Sequence, residues 1–180
     1  MKKLNKITFK DLAVIVGSAI LFWAINLFKP DFLYPVIFFM MVLLMSFSVF
    51  LIKKVGVATL FYVISALLTY KTNGLGISGT DRVVIFLITG IILDLILLIA
   101  KKEEKCASRS IITAAIISSG LFPIVSILRI SFATAFSQIS SAVNLILLSL
   151  LAGTLASLAS YFIWRQIRTT KFSLRFELDD

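Results

Sequence analysis

Phe32-Leu33-Tyr34-Pro35-Val36-Ile37-Phe38-Phe39-Met40-Met41-Val42-Leu43-Leu44-Met45-Ser46-Phe47-Ser48-Val49-Phe50-Leu51-Ile52 is an apolar run without a single charge. At about 1.5 Å of rise per residue, a helix of this length crosses a hydrocarbon core of roughly 30 Å. A lipid-facing strand would alternate polar and apolar side chains. This run is apolar nearly all round, as a helix in lipid must be.

Outward from it, comparable runs cover residues 12–28, 55–70, 83–100, 111–128 and 142–164, separated by short charged or glycine-rich breaks. The pattern predicts an all-α polytopic membrane protein, a single domain over 1–180 with about six transmembrane helices. Composition agrees: 59% hydrophobic residues, 15% charged residues and a mean hydropathy of +1.04 exclude the surface of a water-soluble domain. The third run is the short one. Its length corresponds to about 24 Å of helix, so it must extend past Lys71, be short, or sit where the bilayer is thinned.

The formal net charge is +9, and its distribution decides between a nucleic-acid partner and a topology signal. With the N-terminus inside, the cytoplasmic segments hold Lys2, Lys3, Lys6, Lys10, Lys53, Lys54, Lys101, Lys102, Lys105, Arg109, Arg165, Arg168, Lys171 and Arg175. Only Lys29, Lys71, Arg82 and Arg129 fall on the outer side. Short loops with this bias place both termini in the cytoplasm and suggest a multi-pass protein of the cell membrane. Basic groups separated by apolar spans form no continuous groove, so no nucleic-acid partner is expected. The first run is longer than a signal-peptide core, and Phe28-Lys29-Pro30-Asp31 lacks a small-x-small cleavage pattern, so it reads as a retained span. Cys106 is the single cysteine and excludes a disulfide within the chain.

The motifs of common chemistries are missing. There is no histidine, and the nine carboxylates are scattered over termini and loops, which leaves no set with metal-ligand spacing. No Walker A pattern, nucleophile elbow or H-E-x-x-H pair occurs. The expectation is a protein that is not an enzyme, carries no cofactor, and depends on a separate subunit for any ATP hydrolysis. Asp94 is the one carboxylate read inside a span, nearer the cytoplasmic end. It reads either as a coupling site or as a carboxylate that caps backbone or pairs with a lysine.

On the outer side polar groups converge from several segments: Asn26 and Tyr34, then Tyr70, Lys71, Asn73, Asp81 and Arg82, then Arg129, Gln138 and Asn144. A few placed donors and acceptors among aromatics are what a small-molecule pocket needs. Loops that simply meet water and headgroups carry the same residue types. Arg129 and Asn144 lead the set. A guanidinium near the bilayer is costly unless paired, and Asn144 has several hydrogen-bonding positions to satisfy just inside the last span. Residues 70–82 contain three glycines and read as a lid or as a flexible connector.

Small residues recur four apart: Ala13 and Gly17 in the first run, and Ser149, Gly153 and Ser157 in the last. Such faces let helices approach closely. The last is expected to pack inside the bundle, and the first, following a basic arm, suggests an external partner. Pro123 is expected to kink the fifth helix.

Taken with the topology, Ala13-x-x-x-Gly17, Thr89-Gly90-Ile91-Ile92-Leu93-Asp94-Leu95 and the ending Leu151-Ala152-Gly153-Thr154-Leu155-Ala156 to Tyr161-Phe162-Ile163-Trp164-Arg165 resemble the S components of energy-coupling factor transporters. Gly17 stands where that family's docking pattern has a second alanine. The resemblance implies six helices with cytoplasmic termini and a vitamin-like ligand bound near the outer face, among the last three spans and the first, third and fifth loops. It also implies a first span packed on a transmembrane coupling protein, a pair of ATPases, and transport by toppling in the membrane. The cations Lys71, Arg82 and Arg129 favour a ligand with a carboxylate or phosphate. The competing readings are an intramembrane enzyme acting on lipid or isoprenoid substrates, and a structural or assembly subunit.

Overall fold

The computed structural model describes residues 7–27, 34–72, 79–100, 107–129 and 139–167. Within them the chain forms six α-helices: α1 (Phe9–Leu27), α2 (Tyr34–Ile52), α3 (Val57–Leu68), α4 (Gly79–Ala100), α5 (Ala107–Arg129) and α6 (Ile139–Ile167). No strand occurs among the described residues. Five of the helices are long and apolar enough to cross a membrane, so the protein is a helical bundle of the multi-pass membrane type. Cys106 lies outside the described residues.

Contacts between helices fix their directions. Asp11 at the start of α1 meets Lys54 just beyond α2, and Phe50 near the end of α2 stacks on Trp164 near the end of α6. Lys53 lies over the same Trp164 ring. The start of α1 and the end of α6 therefore share one end of the bundle. Because Lys10, Lys53, Lys54, Arg109 and Arg165 also belong there, we call it the basic end.

α2 is the most enclosed of the long helices. It packs against α1, α3, α5 and α6 and supplies Phe38, Met41, Met45 and Phe50 to the core. The outward surface is equally apolar: Leu147, Leu151 and Leu155 on α6 stand four residues apart and are all exposed. In lipid such a surface gains nothing by burial, so association rests on close packing and on polar contacts between helices. Both are present. A Cβ added at Gly90 of α4 would come within 2.8 Å of the Thr59 Cα on α3, and one at Gly120 of α5 within 2.8 Å of Leu150 on α6. Gly153 of α6 abuts the Ser119 side chain on α5 in the same way. The small face of the last helix thus packs inside the bundle, as its spacing predicts. Ser160 of α6 donates to the Leu43 carbonyl of α2 (2.8 Å), and Ser48 of α2 donates to Ser18 of α1 (3.0 Å).

At the basic end, α1 begins with a reciprocal cap. The Thr8 amide donates to Asp11 Oδ2 (2.7 Å) while the Asp11 amide donates to Thr8 Oγ1 (3.4 Å). Lys54 donates to the same Asp11 oxygen at 3.1 Å, which ties this cap to the turn between α2 and α3. That turn needs a left-handed residue, supplied by Gly56 at φ +94°.

The departures from the predicted spans are informative. α4 starts at Gly79 and not at residue 83, so Asp81 and Arg82 belong to its first turn rather than to the preceding loop. The third helix has 12 residues, about 18 Å at 1.5 Å per residue, and is too short to span the core alone. Pro123 lies buried within α5, where the kink is expected.

Candidate functional site

A short helix packed inside a bundle leaves its last carbonyls and first amides where water cannot reach them. α4 places a charged partner at each end of α3. At the start of α3, Asp94 Oδ2 accepts from the Thr59 amide (2.8 Å) and the Thr59 hydroxyl (2.5 Å). Beyond its end, Arg82 Nη1 donates to the Thr69 carbonyl (2.6 Å) and to Thr72 Oγ1 (2.7 Å). The carboxylate meets the positive end of the helix dipole and the guanidinium meets the negative end. Arg82 and Asp94 are twelve residues apart on α4, matching the 12 residues of the antiparallel α3.

Neither charge is used up by this role. Arg82 is fully buried, and its Nε and Nη2 have no hydrogen-bond partner among the described residues. Those two nitrogens form one edge of the guanidinium, with parallel N–H bonds that match the two oxygens of a carboxylate or phosphate. One turn further along α4, the Phe86 ring centre lies 5.9 Å from the Arg82 guanidinium carbon. Phe86 meets Tyr62 edge-on (5.6 Å between centres) and Phe122 (5.5 Å). Phe122 in turn meets Phe38 (5.3 Å), and Tyr62 meets Phe61, which meets Phe22. The rings make a continuous aromatic layer drawn from α1 to α5, and Arg82 sits on the side of it away from the basic end.

Two more of the sequence-predicted residues lie toward this end of the bundle. Asn26 is one turn beyond Phe22 and fully buried, its Nδ2 donating to the Phe22 carbonyl (3.1 Å) and its Oδ1 without a partner among the described residues. Tyr34 opens α2, half-buried, with its ring stacked on Phe38 at 6.1 Å. Tyr70 and Lys71 are exposed in the turn after α3, where the Tyr70 carbonyl accepts from the Gly79 amide (3.0 Å).

Asn144, Ala13 and Gly17 do not join this group. Asn144 is exposed, on the outward face of α6 that continues through Leu148, Leu151 and Leu155. The inward face of that helix is taken by Ser149, Ala152, Gly153 and Ala156. Arg129 is the last residue of α5, and its side chain lies outside the described residues, as do Asn73 and Gln138. Ala13 and Gly17 are both exposed on α1, and a Cβ at Gly17 would meet nothing within 4 Å.

Sequence reasoning missed the cap that Arg82 provides, the aromatic layer, and the buried Asp11. A signal for the caps was present. Opposite charges twelve residues apart in one apolar run, beside a run too short to span, are what a shortened helix requires at its two ends. Compared with protein-family models, with curated proteins and with solved structures, the chain matches none.

Proposed function

We propose that this chain is the substrate-binding membrane subunit of an uptake transporter of the energy-coupling factor type. In this reading it sits in the cell membrane with its basic end in the cytoplasm and captures a small anionic molecule at the opposite end. ATP hydrolysis is left to separate subunits. The observation that carries the reading is the Nε–Nη2 edge of the buried Arg82, which has no hydrogen-bond partner among the described residues: two parallel donors suited to one carboxylate or phosphate, beside the Phe86 ring. A buried guanidinium without a counter-charge is costly, and an anionic ligand would remove that cost. Asn26 Oδ1, Tyr34 and the Phe86 ring supply an acceptor, an amphipathic ring and an apolar face at the same end. The open small face of α1 at Ala13 and Gly17 suits close approach of a helix from a coupling protein.

The test is native mass spectrometry and thermal-shift titration of the detergent-purified chain against small carboxylates and phosphate esters, with two variants. Arg82→Lys keeps the charge and a donor for Thr69 but loses the fork, and it should weaken ligand binding by about tenfold or more. Asn144→Ala should bind as the parent does. A chain that neither carries nor gains any anionic ligand, or an Arg82→Lys variant with unchanged affinity, would sink the reading.

A further inference from the structure

Past Asp94, α4 continues to Ala100 while α3 has already begun at Val57, so on that side the last turns of α4 extend beyond α3. The result is a groove of about 340 Å³ with Leu60 on one wall and Ile91, Leu95 and Leu98 on the other. Ile91, Leu95 and Leu98 are 43%, 53% and 42% exposed, so the groove opens sideways onto the face a membrane would cover. Among the described residues, its only polar side chains are Thr59 and Asp94.

Asp94 makes this groove unlike the other apolar surfaces of the bundle. It is 6% exposed, and its Oδ2 is held by Thr59 while its Oδ1 has no hydrogen-bond partner among the described residues. No basic side chain pairs with it among the described residues. A buried carboxylate oxygen left in this way is destabilising unless a donor reaches it. Asp94 lies about 9 Å along the helix from the end of α4 at Ala100, within reach of the polar edge of the bilayer. A matching occupant needs a small cationic head with N–H donors and a long apolar body. We infer that the groove binds an aminophospholipid, its primary ammonium on Asp94 and one acyl chain along Leu60, Leu95 and Leu98. A choline head has the charge but no N–H, and a phosphoglycerol head has no cation, so both should be discriminated against.

The experiment uses the full chain in nanodiscs of equimolar phosphatidylethanolamine, phosphatidylcholine and phosphatidylglycerol, followed by native mass spectrometry of the lipids that survive delipidation. The parent chain should retain phosphatidylethanolamine about tenfold over each of the others. In Asp94→Asn the amide oxygen still accepts from Thr59, and the preference should fall to parity. Leu98→Trp fills the groove without touching the carboxylate, and it should retain none of the three lipids. Equal retention of all three by the parent, or an unchanged preference in Asp94→Asn, overturns the inference. Should Asp94→Asn fail to fold, retained phosphatidylethanolamine in Leu98→Trp overturns it alone.

Discussion

Arg82 and Asp94 each divide their hydrogen-bonding capacity between α3 and an unfilled position. For Asp94 the two roles separate by substitution. Asp94→Leu removes the acceptor from the Thr59 amide in a place water does not reach, and it should cost about 1–3 kcal/mol of stability. Asp94→Asn should cost less, because its oxygen still accepts from that amide and only the charge at the helix start is lost. Denaturant titration of the detergent-solubilised chain, followed by circular dichroism, measures both. Equal losses would mean that the cap at Thr59 carries no weight.

Among the helices, the decisive contacts are those where a side chain is missing. Gly90 lies against the α3 backbone, and a branched side chain there would collide with the Thr59 Cα. Gly90→Val should therefore push α4 away from α3 and strain both caps, destabilising by about 1–3 kcal/mol. Gly17→Val on α1 meets open space and should leave thermal stability within about 0.5 kcal/mol, apart from local propensity. The contrast reads directly in melting temperatures of the purified variants. It also separates helix faces that hold this bundle together from a face that stays open. Ser18 to Ser48 and Ser160 to Leu43 are further contacts of the first kind, each joining two helices through one hydroxyl.

For the molecule as a whole, the described ends of the chain lie together at the basic end, with the aromatic layer between that end and Arg82. α4 ends and α5 begins at the same end, and the single cysteine, Cys106, falls between them in the sequence. If the basic end is cytoplasmic, a membrane-impermeant maleimide should label Cys106 in inverted vesicles and leave it unlabelled in intact cells. Labelling from outside would reverse the orientation and move the Arg82 end to the cytoplasm.

What the sequence determined by itself was the class of solvent and the number of helices. Uninterrupted runs such as Phe32 to Ile52 admit no other satisfied backbone in lipid, because the hydrogen bonds must close within the segment. Spacing also told which face of α6 packs inward, since Ser149, Gly153 and Ser157 recur at the helical period. It did not tell which polar residues meet. Asn144 and Arg82 look alike as isolated polar residues at span ends, yet one faces outward and the other is wholly buried. That outcome depends on the rotation of each helix about its axis, which is set by neighbours remote in sequence: Leu150 against Gly120, Thr59 against Gly90. Only the tertiary structure set Asp94 against the start of α3 and Arg82 against its end, and so turned two scattered charges into its two caps.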